Sequence, residues 1–188
     1  MRIIAGEARG RIIEAPAGSG TRPTLDRVRE NLFNMLQGEV ENSHVLDLFA
    51  GSGALSLEAL SRGAADAVLC DVSRQACAVQ KRNIEKLRYA DRTVQYCLDW
   101  KAAVSLLKKE RRQYDLVFLD PPYAADYVTA LLSSLIPLIH EQSLVILEHE
   151  SGKDAAVPEG FRIIKSRSWG YCAVSIFRPI RTEGGKYG

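Results

Sequence analysis

From residue 44 onward, short apolar runs alternate with segments whose apolar residues recur every three to four positions. The short runs suit strands covered on both faces, and the three-to-four spacing suits helices packed against them. The pattern predicts strands over 44–49, 67–70, 93–97, 114–119 and 143–148, with helices over 54–62, 74–87, 101–109 and 127–139 between them. Two final strands, 162–166 and 171–177, are separated only by Arg167-Ser168-Trp169-Gly170. That gap is too short for a crossover helix, so the pair should form an antiparallel hairpin at the sheet edge. The expected fold is α/β: a doubly wound, mostly parallel, seven-stranded Rossmann-like sheet.

Before residue 44 the rhythm differs. Met1 to Ile13 reads as a short β-hairpin with Gly6 and Gly10 at the ends of its loop, an appendage too short to bury a core of its own. Residues 15–20 have linker composition. Thr24 is then expected to cap a helix with Leu25, Val28, Leu32 and Met35/Leu36 on one face and Gly38 just past its end. The division that follows is a hairpin and linker over 1–20, a main domain over 21–180 and a tail over 181–188.

Composition narrows the class. A length of 188 residues suits one domain with a full core, and no apolar run approaches the roughly eighteen residues of a membrane span. Ile3-Ile4-Ala5 gives way at once to Gly6-Glu7-Ala8-Arg9, so no signal peptide is expected and the protein reads as cytoplasmic. Cysteines 70, 77, 97 and 172 form no CxxC pair, as for reduced thiols in the cytosol. Histidines 44, 140 and 149 lack metal-ligand spacing, so no metal site is expected. The net charge of +2 is unevenly spread: residues 1–36 carry six arginines against four acids, and 161–188 carry six basic residues against one acid. Basic ends around an acidic middle fit a polyanion gripped by the termini; a solvated surface with a loose basic tail would look the same.

The chemistry concentrates at the ends of the predicted strands. Val45-Leu-Asp-Leu-Phe-Ala-Gly-Ser-Gly53 runs into a helix, and Gly51 and Gly53 permit a tight turn that a ligand can approach closely. The third glycine of a dinucleotide fingerprint is missing, because Ser56 stands in its place. Asp47 would repel a pyrophosphate and suits a ligand with a positive centre. Asp71 ends the second strand and can accept bonds from two ribose hydroxyls. Asp99 follows the third strand, placed for an adenine amino group with Trp100 beside the ring; taken alone, it reads better as a helix cap. The fourth strand stops at Asp120-Pro121-Pro122-Tyr123, where two prolines forbid both strand and helix and leave a stiff corner. In a doubly wound sheet that corner lies beside the glycine turn, across the switch point.

These motifs together resemble class I S-adenosylmethionine-dependent methyltransferases. Asp47–Gly53 resembles their cofactor loop, Asp71 their ribose acid, Asp99 their adenine contact, and Asp120–Tyr123 the D/N-P-P-Y signature of members that methylate amino groups. Met1-Arg-Ile-Ile-Ala-Gly6, Gly10-Arg11, Arg22-Pro-Thr24, Arg29-Glu30 and Leu32-Phe-Asn34 are similar to the bacterial 16S ribosomal RNA guanine-N2 methyltransferase (RsmD) family, from residue 1 to about 180. Asp71 replaces a common glutamate and Arg29 a common lysine, both with charge kept.

The resemblance implies S-adenosyl-L-methionine as cofactor, held by Asp47, Phe49, Ala50, Gly51, Ser52, Gly53, Asp71, Val72, Asp99 and Trp100. It implies that Asp120 and the Pro121 carbonyl accept the two N–H bonds of a guanine amine, with Pro122 fixing the turn and Tyr123 stacking on the base. Arg2, Arg9, Arg11, Arg22, Thr24, Arg27 and Arg29 would contact RNA phosphates. The expected partner is 16S ribosomal RNA within a small subunit or assembly intermediate, met by a monomer with no membrane involved. A DNA adenine-N6 methyltransferase could use the same corner but normally carries a target-recognition segment, and no insertion of that size exists here. A protein-glutamine methyltransferase would favour asparagine at position 120, and an NAD-dependent oxidoreductase would want the third glycine. A non-catalytic RNA-binding assembly factor would need only the basic ends.

Overall fold

The computed structural model describes residues 1–15, 23–122 (backbone only for 23–25), 127–152 and 155–180. Helix α1 (Pro23–Met35) precedes an alternating series: β1 (His44–Asp47), α2 (Ala54–Ser61), β2 (Asp66–Cys70), α3 (Arg74–Leu87), β3 (Thr93–Tyr96), α4 (Trp100–Glu110), β4 (Tyr114–Leu119) and α5 (Val128–Ser134). Strands β5 (Ile139–Glu150), β6 (Phe161–Trp169) and β7 (Cys172–Pro179) close the chain. They form one seven-stranded sheet in the order β3-β2-β1-β4-β5-β7-β6. The first five strands are parallel, and β7 runs antiparallel to both of its neighbours. The doubly wound sheet and its C-terminal hairpin are as the alternation of elements predicts.

Two cores lie on the two faces. One joins Val45, Leu116, Phe118, Ile146 and Val174 to Leu32 and Phe33 of α1, Leu36 just past it, Leu57 and Leu60 of α2, and Ile84 and Leu87 of α3. The other joins Leu46, Val117, Leu119, Val145 and Leu147 to Val104 and Leu107 of α4, Leu131 and Leu132 of α5, and Leu135 just past it. Central strands are buried on both sides, which is why their sequences are continuously apolar. Strand β6, at one edge, instead exposes Arg162, Lys165 and Arg167, charges that discourage pairing with another sheet. No helix among the described residues is long and apolar enough to cross a membrane.

Several boundaries depart from expectation. Helix α1 begins at Pro23 rather than after a Thr24 cap, because proline's fixed φ and missing N–H suit the first turn of a helix. The helix expected over 127–139 stops at Ser134; a 3-10 turn at Ile136–Leu138 follows, where Pro137 cannot continue an α-helix. Strand β5 starts at Ile139, not Ser143. Its register against β4 shifts between Tyr114 and Leu116. There the Ser143 hydroxyl accepts from His140 N–H and donates to the Tyr114 carbonyl, satisfying backbone that the ladder leaves out.

The N-terminal hairpin is reduced to one antiparallel bridge, Arg2 to Ile12, and is part of the main core rather than an outlier from it. Ile3, Ala8 and Ile13 are buried there among α1, α2 and α3. Its backbone is clamped to α2. The Glu58 carboxylate accepts from Ile4 and Ala5 N–H at 2.7 and 3.0 Å, and the Ser61 carbonyl accepts from Glu7 N–H at 2.8 Å. Gly6, at φ +83°, passes so close that an added Cβ would lie 1.7 Å from the Ser61 oxygen. Only glycine fits there. The linker expected over 15–20 lies almost wholly outside the described residues, as does the 181–188 tail.

Candidate active site

The glycine turn follows β1 and the proline corner follows β4, and these strands are hydrogen-bonded neighbours with Asp47 opposite Phe118. Asp120 therefore emerges two residues beyond the level of Asp47, at the carboxyl edge of the sheet. This is the switch point: β2 lies on one side of β1 and β4 on the other. Open α/β sheets bind ligands outside such edges.

The turn faces two ways. An added Cβ at Gly51 (φ +53°) would meet open space, whereas one at Gly53 (φ +80°) would press on Leu69 Cδ2 at 2.9 Å. Gly51 is thus the side a ligand can approach and Gly53 the side seated on the sheet. Asp47 is buried behind the turn and accepts from the Ser56 hydroxyl at 2.9 Å. Burial pushes its carboxyl up to about 7; the Ser56 and Phe49 N–H bonds oppose that push, and the charge of Asp71 adds to it. Ser56, notable in the sequence only as a missing glycine, is the partner that holds this acid.

Asp71 closes the turn from the next strand. One of its oxygens accepts from Gly51 N–H and the other from Ser73 N–H, both at 2.8 Å. Each oxygen keeps a further lone pair for a ligand hydroxyl. Val72 beside it is strongly exposed, an apolar surface at the ligand's edge. Asp99 does what its isolated reading suggests: Oδ1 caps α4 by accepting from Lys101 and Ala102 N–H. The Trp100 ring stacks on Tyr127 with centroids 5.4 Å apart. Phe49 and Trp100 both pack at the margin of the second core, so this side of the edge is apolar.

Three buried polar residues that the motifs do not include hold the turn and the hairpin. Gln80 Nε2 donates to the Gly51 carbonyl at 3.0 Å, and its own carbonyl accepts from Gln95. Asn83 Nδ2 donates to the carbonyls of Ser52 and Glu14, while its Oδ1 accepts from Glu14 N–H at 2.8 Å. Glu58, fully buried in α2, gathers the hairpin amides together with Arg62 Nε at 2.7 Å. The signal for the first two was a polar residue on the apolar stripe of α3. For Glu58 it was a lone acid within the apolar run Leu55–Leu60.

At the corner, Pro121 is buried and Pro122 exposed. Asp120 is exposed, yet neighbouring protein desolvates its carboxylate. That desolvation raises its carboxyl well above the ordinary range, and the charges of Glu148 and Asp47 raise it further. Water still reaches it, so the push is greatest once a bound base displaces that water. Tyr123 lies outside the described residues.

The arginines divide. Arg29, expected to face RNA, is buried instead: it donates to the Arg2 carbonyl and to Asp26, and lies 3.8 Å from Glu58. A helical face gives no hint of an acid arriving from another helix. Arg9 and Arg11 are exposed but sit at the hairpin's far end, with Arg11 against the Leu87 carbonyl at the end of α3. Arg2 and Arg27 are exposed near the start of α1, and Arg2 lies 3.9 Å from Asp26. Arg22 and the side chain of Thr24 fall outside the described residues.

Comparison with known proteins agrees with this geometry. The family described as conserved hypothetical protein 95 matches residues 1–178. Ribosomal RNA small subunit methyltransferase D of Escherichia coli K12 is 34% identical over 185 residues, 95% of this chain and 89% of that one. The chain belongs to the RsmD family. The Haemophilus influenzae RsmD is 32% identical over 182 residues, 95% of this chain and 93% of its own. A solved Escherichia coli structure, the candidate methyltransferase yhhF, superposes with a TM-score of 0.82 at 33% identity, covering 95% and 97% of the two chains. The protein thus has a methyltransferase fold, and it is an enzyme of the S-adenosylmethionine-dependent methyltransferase class.

Proposed function

We propose that this protein transfers a methyl group from S-adenosylmethionine to the exocyclic N2 of a guanine in small-subunit ribosomal RNA. The observation that carries the proposal is Asp120-Pro121-Pro122 at the end of β4, hydrogen-bonded neighbour to the strand bearing the glycine turn. RsmD relatives named for small-subunit ribosomal RNA support the choice of substrate.

The residues present fit the cofactor. Gly51 leaves room for it, Asp47 supplies buried negative charge for its positive end, and Asp71 with Val72 suits a ribose. Phe49, Ala50, Ser52 and Gly53 complete the turn; Asp99 and Trp100 would flank the adenine. When bound, the cofactor supplies an electrophilic methyl on a sulfonium.

The chain's own work is orientation. A guanine amine is a poor nucleophile because its lone pair is delocalised into the ring. Asp120 and the Pro121 carbonyl accept its two N–H bonds, which turns the lone pair toward the methyl and stabilises positive charge as it develops. The amine becomes acidic only after attack, so Asp120 needs no strong basicity to take the proton that leaves. Tyr123 stacks on the extruded base, an interaction worth about 1–3 kcal/mol on other stacking platforms. Pro121 and Pro122 hold Asp120 and the Pro121 carbonyl in place before the base arrives, so little ordering of those two acceptors is left for binding to bring about. Arg2, Arg9, Arg11, Arg22 and Arg27 would contact phosphates, which positions the RNA without reading its sequence. The protein acts as a cytoplasmic monomer on an assembled particle or a precursor of it.

The test uses small subunits from a strain lacking this enzyme, purified protein and tritiated cofactor. Label mapping to the N2 of one guanine is expected. RNA binding without transfer would instead mark an assembly factor, and label on DNA adenine would overturn the substrate.

A further inference from the structure

Glu148 has no part in the mechanism above, yet the sheet sets it beside Asp120. Strands β4 and β5 pair in parallel with Leu119 opposite Leu147, so Asp120 and Glu148 stand level one residue later. They also share a face. Phe118 and Ile146, two residues before each, lie in the core beneath α1 and α2, whereas Leu119 and Leu147 both lie in the opposite core. Neighbouring strands are about 4.8 Å apart. At that spacing two carboxylates repel unless hydrogen-bond donors come between them. The repulsion is visible in the upward push that Glu148 exerts on the Asp120 carboxyl.

Guanine offers N1–H directly beside its N2–H bonds, a row of donors. Adenine sets an N1 lone pair beside N6–H, and 2,6-diaminopurine sets the same lone pair beside the very N2 amine that guanine carries. One carboxylate would hold any of these amines; two in register favour the base whose ring nitrogen also bears a proton. We propose that Glu148 accepts the N1–H of the target guanine while Asp120 accepts from N2, making Glu148 the residue that selects guanine. This rests on the guanine-N2 function proposed above. A carboxylate has about four acceptor sites, so Glu148 can take N1–H in addition to contacts within the folded chain. The wrong base would bring its lone pair against the carboxylate, a mismatch expected to cost about 5- to 150-fold in kcat/KM.

The experiment compares small subunits reconstituted with 16S RNA carrying either guanosine or 2,6-diaminopurine riboside at the target. Wild-type enzyme should favour guanosine by about 5- to 150-fold. Glu148→Gln, whose amide can donate to an N1 lone pair, should lose at least about tenfold on guanosine and bring the two substrates within about twofold. Glu148→Asp, which keeps the charge, should retain most of the preference. S-adenosylhomocysteine affinity by calorimetry, and the melting temperature, should stay near wild type in both variants. An unchanged preference in Glu148→Gln overturns the assignment of Glu148 alone. So does a variant that turns over less of both substrates in equal proportion. A wild-type enzyme that labels neither substrate overturns the guanine-N2 function and this inference with it.

Discussion

The two halves of the carboxyl edge are built on different principles. On the cofactor side, buried side chains reach the glycine turn from behind (Ser56 to Asp47, Gln80 to Gly51, Asn83 to Ser52), and the half-buried Asp71 accepts from Gly51 N–H. On the acceptor side, rigidity comes from two consecutive prolines and from strand register. The first half is prebuilt by hydrogen bonds. The second is stiff but electrostatically unfinished: desolvation and the charges of Glu148 and Asp47 raise the proton affinity of Asp120 until a substrate supplies donors. A site so divided should let mutations damage one half without touching the other.

The largest separation is expected for Asp120→Ala. Its kcat should fall about 10²- to 10³-fold, on the scale of removing one preorganised charge-stabilising group, while S-adenosylhomocysteine binds as before in calorimetry. A matching loss of cofactor affinity would break the division. Asp47→Asn should show the opposite, weakening S-adenosylmethionine by about 10- to 100-fold through loss of a charged partner. It should also reveal a stability cost. The buried carboxyl's proton affinity is raised from 3.8 to about 7, so the unfolded chain gives up its proton first as pH rises. Folding is therefore penalised increasingly between about pH 4 and 7 and by a constant amount above that. The variant should match wild type near pH 4 and melt roughly 3–8 °C higher at pH 8. Wild-type cofactor affinity should rise with pH up to about 7 and then level off.

Asn83→Ala removes three hydrogen bonds that tie Glu14 and Ser52 to α3. It should weaken cofactor binding about tenfold and cost roughly 1–3 kcal/mol of stability, with kcat at saturating cofactor retained. The smallest effect belongs to the surface. Arg27→Ala should raise KM for the ribosomal particle a few-fold and lower the salt slope of binding by about one, with kcat unmoved. Arg29→Ala should instead lower the melting temperature, because its guanidinium is enclosed between Asp26 and Glu58.

What the sequence made legible follows from how local each determinant is. Strand β4 and helix α3, including the Ser73 cap, fall at their expected bounds because apolar run, period and cap residue all lie within the element. Asp47, Gly51, Gly53, Asp71 and Asp120 were readable because strand ends in a doubly wound sheet converge whatever the side-chain detail. Glu58, Asn83 and Gln80 were not, since each acts on backbone far away in sequence: Glu58 on residues 53 and 54 positions earlier, Asn83 on one 69 earlier. Arg29 misled for the same reason. The start of α1 was misplaced by weighing Thr24 above Pro23, and α5 was overextended by counting apolar residues through Pro137.

The clamp between the hairpin and α2 has a consequence for synthesis. Residues 1–14 are made before their partners Glu58, Ser61 and Asn83, which follow tens of residues later. At about 5–20 residues per second, the hairpin segment waits for seconds with Ile3, Ala8 and Ile13 unburied. The other end of the chain waits too, because β6 can join the sheet only after β7 has been made to lie between it and β5. The hairpin segment is therefore made early but settles late, and a chaperone that holds nascent apolar segments would find a long opportunity on it.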